Sequence, residues 1–129
     1  MTNEHLRLID ANLNRLREGI RVVEDIYRYI FNDKDIALEL KTLRHKTKID
    51  LYTDLLSSRD IVNDVLKKST SQEQTRVDLN SILIANFKRA QESSRVLEEF
   101  FKLIDINISE NFKFIRYELY NLEKNILKL

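Results

Sequence analysis

The chain has 129 residues, 43% apolar and 33% charged, with one Gly and no Pro, Cys or Trp. That length suffices to bury roughly two-thirds of the unfolded surface in one domain, and the lack of Cys excludes a disulfide framework, a thiolate metal site and a cysteine nucleophile, which fits a reducing, cytoplasmic setting. A single Gly excludes the Gly-rich phosphate cradles, and 22 Lys and Arg against 21 Asp and Glu leave no field directed at nucleic acid or an anionic membrane.

Leu, Glu, Lys, Arg and Ile dominate, so propensity favours helix almost throughout. Leu6, Ile9, Leu13, Leu16, Ile20, Val23, Tyr27 and Ile30 alternate by three and four, which predicts one amphipathic helix over about 3–31. Asn32 and Asp33 predict a turn, and Asp33 or Asp35 caps a second helix reaching about Leu56 on a weaker seam of Ile36, Leu40, Leu43, Thr47 and Leu51. Residues 57–74, with Ser-Ser and Ser-Thr-Ser, read as an irregular connection. A third helix, from about Gln72 or Val77 to Leu103, carries Leu83, Phe87, Ala90, Ser94, Leu97, Phe101 and Ile104. A fourth, with Ser109 as its cap, carries Phe112, Ile115, Leu119, Leu122, Ile126 and Leu129. The predicted fold is all-α, a single domain over 1–129 with four main helices in two hairpins, about 3–56 and 75–129. The longest apolar stretches, such as Ser81 to Phe87, fall far short of the roughly 20 residues of a bilayer span, and the polar start Met1–Asp10 is unlike a signal peptide.

The strongest internal signal is a repeat. Shifting the first helix by 74 positions places Ala11, Asn12, Arg15, Glu18, Arg21, Val22 and Glu24 on Ala85, Asn86, Arg89, Glu92, Arg95, Val96 and Glu98. A shift of 72 places Lys41 and Arg44 on Lys113 and Arg116. Exposed positions between the identities differ, as at Arg17 and Gln91, so something holds the repeated polar residues to type. Two explanations stand: an ion-pair ladder, in which each solvated pair contributes about 0.2–0.5 kcal/mol, or a second layer, which is the partner hairpin, another subunit in a homodimer, or an anionic ligand whose phosphates need guanidinium donors. Gly19, mid-helix, points to a close helix crossing or to a ligand against the backbone.

Asp60 and Asp64, with Arg59 ahead of them on the connection, are candidates to hold Mg²⁺ against a phosphate, or Asp60 merely caps a short helix. Lys41, Arg44, His45, Lys46 and Lys48 form a basic cluster suited to phosphate or to a solvated helix end. The two histidines, His5 and His45, are not at metal-ligand spacing.

Five strings carry a resemblance: IDANLNRLREGIRVVED at 9–25, LKTLRH at 40–45, RDIVNDV at 59–65, ANFKRAQESSRVLEEF at 85–100 and FIRYELY at 114–120. In this order they resemble the small helical domain of bacterial thiamin biosynthesis that occurs alone or fused ahead of thiamin phosphate synthase, departing from it at Val65-Leu66 and Ser93-Ser94. The resemblance implies a kinase that uses ATP and Mg²⁺ to phosphorylate hydroxymethylpyrimidine phosphate to its diphosphate. Joined to that activity, the repeated and basic residues Asn12, Arg15, Arg21, Lys41, Arg44, Arg59, Asn86, Arg89, Arg95 and Arg116 are the candidate ligands of the nucleotide and pyrimidine phosphates. Asp60, Asp64, Glu18 and Glu92 become the catalytic and metal-side carboxylates, in a polar cavity shared by both repeats. The alternative is a non-catalytic module that dimerises or docks on a thiamin phosphate synthase.

Overall fold

Thr2 opens the first helix: its hydroxyl accepts the His5 N–H at 3.1 Å, and the His5 ring accepts the Thr2 N–H. Two donors that a helix start leaves unpaired are thereby satisfied. In the computed structural model, which describes residues 1–127, this helix (α1, Asn3–Asp25) runs into one π-helical turn at Ile26–Ile30. The predicted first helix therefore has the right extent but changes winding near its end. The Phe31 N–H donates to the Ile26 carbonyl at 3.1 Å, and Asn32, at φ 53°, reverses the chain. Asn accepts that left-handed geometry more readily than most residues.

The helix α2 (Lys34–His45) starts at Asp33, whose carboxylate accepts the Ile36 N–H at 3.1 Å. It stops well short of Leu56, where the apolar spacing placed its end. Its end tightens to three-residue closures, with the Thr47 N–H on the Arg44 carbonyl at 3.2 Å and the fully buried Thr47 hydroxyl on the same oxygen at 2.7 Å. Leu55 rejoins the core from a separate short helix, α3 (Tyr52–Ser58), and Leu51, just ahead of it, packs against that core. A single turn, α4 (Ser71–Gln74), interrupts the predicted connection. The long helix α5 (Leu79–Phe101) begins later than predicted because Asp78 and Ser81 form a reciprocal cap. The last helix, α6 (Ile106–Ile126), is capped by Asp105 and not by Ser109. Ser109 is instead buried, with its hydroxyl on the Glu98 carbonyl at 2.7 Å. Leu129, the end of the fourth predicted stripe, lies outside the described residues.

The described residues form an all-helical fold, with the four predicted main helices joined by α3 and α4. The two long repeat helices, α1 and α5, pack as the central pair; α2 and α3 cover α1, and α6 covers α5. Leu16, Ile20, Val23, Phe87, Leu97, Phe101, Phe112 and Ile115 are all but fully buried in one core. Gly19 supports the close-crossing reading: a Cβ there would lie 3.1 Å from the Asn86 carbonyl oxygen and 3.3 Å from the Ala90 Cβ. Its helix-propensity cost of about 1 kcal/mol is offset by that backbone approach. No helix among the described residues is long and apolar enough to cross a membrane.

Candidate functional site

The repeated polar residues divide between structural duty and exposure. Asn12 and Asn86 each turn their side-chain amides back onto their own helix, donating to the Leu8 and Ile82 carbonyls at 3.0 and 2.9 Å. Glu24 and Glu98 are 1% and 3% exposed, so their charges need partners. Arg44 of α2 supplies Nε and Nη2 to the two Glu24 oxygens at 2.7 and 3.2 Å. Arg116 of α6 gives Nε and Nη2 to Glu98 Oε1 at 3.2 and 2.9 Å. The same interaction thus joins both helix pairs, across 20 residues in the first and 18 in the second, and the longer span contains the π turn. The hydrogen bond to Glu24 holds the Arg44 guanidinium above its ordinary pKa. Burial lowers that of Arg116, but its bonds to Tyr120 and Glu98 and the Glu98 charge carry it above the ordinary value.

Arg21 and Arg95 are surface residues. Arg21 meets Asp25 at 3.3 Å, and Arg95 meets Glu98 at 2.8 Å and Glu99 at 3.0 Å. Glu18, Arg89 and Glu92 are exposed on α1 and α5. Lys41 lines a cavity of 390 Å³ with Glu24 and Arg28, apart from the other predicted ligands.

A cleft of 590 Å³ forms where the segment after α3 folds back along the first half of α1. It gathers Asn12, Arg15, Arg59, Asp60 and Asp64 of the predicted set, and adds Arg7, Asp10 and Lys67. Asn86, Arg89, Glu92 and Arg95 do not line it. The predicted cavity shared by both repeats is therefore not this cleft. The crossing at Gly19 brings the two helix backbones together, so the concavity opens on the outer flank of α1. Arg59 donates Nε and Nη2 to the two Asp10 oxygens, each at 2.8 Å, with the Asp10 side chain 7% exposed. Sequence reasoning missed Asp10, Arg7 and Lys67. Asp10 falls three before Leu13 and four after Leu6, an acid at core spacing, but its counterpart in the second repeat is Ile84, so comparing the repeats hid it.

Asp60 does not cap a helix. Its Oδ1 accepts the Val62 and Asn63 N–H groups at 3.0 Å each, and its Oδ2 accepts the Asn63 side-chain amide at 2.8 Å. The Asn63 side-chain bond, then its backbone bond and that of Val62, pull the Asp60 carboxyl below the ordinary carboxylate value. A depressed folded value means that the turn is fully supported above the ordinary carboxylate range and weakens as pH falls through the folded value. Asn63→Ala should move the Asp60 carboxyl upward, so that the turn is lost at a higher pH; carboxyl ¹³C titration by NMR measures the shift.

Asp64 Oδ1 accepts the Leu66 N–H at 3.0 Å. Among the described residues no three His, Cys, Asp or Glu side chains gather as a metal cage. Mg²⁺ is commonly held by one or two carboxylates with phosphate and water oxygens completing the shell, and Asp60 and Asp64, which both line the cleft, supply carboxylates of that kind, although each already accepts hydrogen bonds within its own turn.

The sequence model of the ThiD2 family matches residues 7–125. The chain is 41% identical over 94% of its length to a thiamine-phosphate synthase of Nostoc punctiforme, covering 35% of that protein. It is 42% identical over 94% of its length to a thiamine-phosphate synthase of Synechocystis, covering 36% of it. It is 38% identical over 89% of its length to one of Rhodopirellula baltica, covering 32% of it. The chain thus spans about a third of the length of these relatives. No solved structure matches it.

Proposed function

The chain belongs to the ThiD2 family, and on that premise we propose that it acts in thiamin biosynthesis as a small-molecule kinase, phosphorylating hydroxymethylpyrimidine phosphate to its diphosphate with ATP. In this transfer an oxygen of the acceptor phosphate bonds to the γ-phosphorus, the bond from that phosphorus to the β–γ bridging oxygen breaks, and ADP leaves. Phosphoryl transfer asks a protein mainly for positioning and charge neutralisation, so the lack of a Gly-rich loop is no obstacle.

The observation that carries the reading is the cleft on α1. Arg7, Arg15 and Lys67 stand in it without an ion-pair partner among the described residues, beside Asp60 and Asp64. Its 590 Å³ lies within the range of about 300–1,000 Å³ usual for small-molecule sites. Asp60 and Asp64 would hold Mg²⁺, which when bound neutralises charge on the donor phosphates. Arg15, Arg7 and Lys67 orient phosphate oxygens. Arg44 and Arg116, each committed to a buried glutamate, serve the fold.

Purified chain incubated with hydroxymethylpyrimidine phosphate, ATP and Mg²⁺ should form the diphosphate, seen by ³¹P NMR or by coupling to a thiamin phosphate synthase; no product above a protein-free control refutes the kinase reading. A second reading draws support from the relatives, which are named thiamine-phosphate synthases and of which this chain matches only a third. There the chain is a docking or dimerising module, and sedimentation with and without a thiamin phosphate synthase would show a complex while nucleotide binding stays absent.

A further inference from the structure

We propose that Asp10 is a positioning residue: through its ion pair with Arg59 it anchors residues 59–67 to α1 and so holds Asp60 and Asp64 at the cleft wall. The consequence for turnover rests on the kinase reading, whereas the anchoring itself does not.

Nothing else described ties this segment down as firmly. Its apolar side chains do not pack: Ile61, Val62, Val65 and Leu66 are 70, 73, 94 and 85% exposed. Its hydrogen bonds are mostly internal, from Val62 and Asn63 to Asp60, from Leu66 to Asp64 and from the Lys67 N–H to the Asp64 carbonyl. The Arg59 N–H donates to Leu56 at the end of α3, and the remaining bonds from residues 59–67 to the helices, among the described residues, are the two from the Arg59 guanidinium to Asp10. Those partners lie 49 residues apart in sequence. Asp10 is itself oriented by the Asn14 amide at 3.4 Å. Only a carboxylate presents two equivalent oxygens to the fork of a guanidinium, so a neutral isostere cannot replace it.

The test uses Asp10→Asn, Arg59→Gln and Asp10→Glu in the full chain, read first by tryptic cleavage after Lys67 and Lys68, both exposed. Cleavage should quicken about ten-fold or more in Asp10→Asn and Arg59→Gln at unchanged helical circular dichroism, and Asp10→Glu should restore part of the protection. In turnover, the Mg²⁺ concentration for half-maximal rate should rise about ten-fold in Asp10→Asn, with kcat recovering at high Mg²⁺. Cleavage within about two-fold of the wild-type chain in both charge-removing variants overturns the proposal. Should Asp10→Asn lose helicity, Arg59→Gln, at the more exposed partner, decides the matter. Faster cleavage together with no diphosphate from any form, wild type included, leaves the anchor standing and removes the kinase reading.

Discussion

Truncating Glu98 to alanine is expected to destabilise the fold by about 3–5 kcal/mol, the cost of leaving a buried ion pair without one partner. The carboxylate is 3% exposed and accepts from Arg116 of α6 and from Arg95 of its own helix. The Arg116 side chain is 12% exposed, and without Glu98 its remaining close contacts among the described residues are the Tyr120 hydroxyl at 3.4 Å and the rings of Tyr117 and Tyr120. Against a typical total of about 5–15 kcal/mol, such a loss shifts the urea midpoint visibly. Replacing both partners by apolar residues, Glu98→Leu with Arg116→Met, should cost far less, because no charge is then stranded. Equal losses in the single and double variants would show that packing, and not the ion pair, ties α6 to α5 here.

Arg15→Ala should lower kcat/KM for diphosphate formation by about 100-fold while leaving helical content unchanged, the usual scale for removing one preorganised donor to developing charge. Arg15 is exposed, lines the cleft and has no ion-pair partner among the described residues, so its guanidinium is available to a phosphate. Its repeat counterpart Arg89 and the neighbouring Arg95 do not line the cleft, and Arg95 is already paired with Glu98 and Glu99. Arg95→Ala should therefore change kcat/KM by no more than about two-fold and stability by less than about 1 kcal/mol, since Arg95 is half exposed and the buried Glu98 keeps Arg116. Steady-state rates of the two variants, measured beside their circular dichroism, check the contrast. A large loss in Arg95→Ala with Arg15→Ala near wild type would move the site to the second repeat.

Much of the architecture was legible in local pattern. Apolar spacing located the long helices because a helix packed on one side must repeat its buried residues every three or four positions. The repeat comparison singled out Glu24 and Glu98 through identity alone, and Arg44 and Arg116 through a second shift. Arg44–Glu24 and Arg116–Glu98 are buried ion pairs between neighbouring helices of the same hairpin, an arrangement that is neither the solvated ladder nor the second layer expected from the repeat. Pattern failed where a polar side chain takes a buried backbone partner. Thr47 fits the apolar seam yet lies just past the end of α2 with its hydroxyl on the Arg44 carbonyl, and Ser109 resembles a cap but serves the Glu98 carbonyl.

Composition, periodicity and the internal repeat by themselves determined that this chain is helical and which faces turn inward, because each follows from contacts between near neighbours; Gly19 was marked as a close crossing or a ligand contact, and the approach to Asn86 and Ala90 decides for the crossing. Only the tertiary structure decided where the cleft lies and which charges it keeps. Whether an arginine is free for a ligand or spent on a carboxylate depends on what the fold brings beside it: Arg59 meets Asp10 across 49 residues, while Arg15, on the same helix as Asp10, meets no acid among the described residues. Spacing along the chain does not encode such distances, since they are set by how the segment after α3 returns to α1.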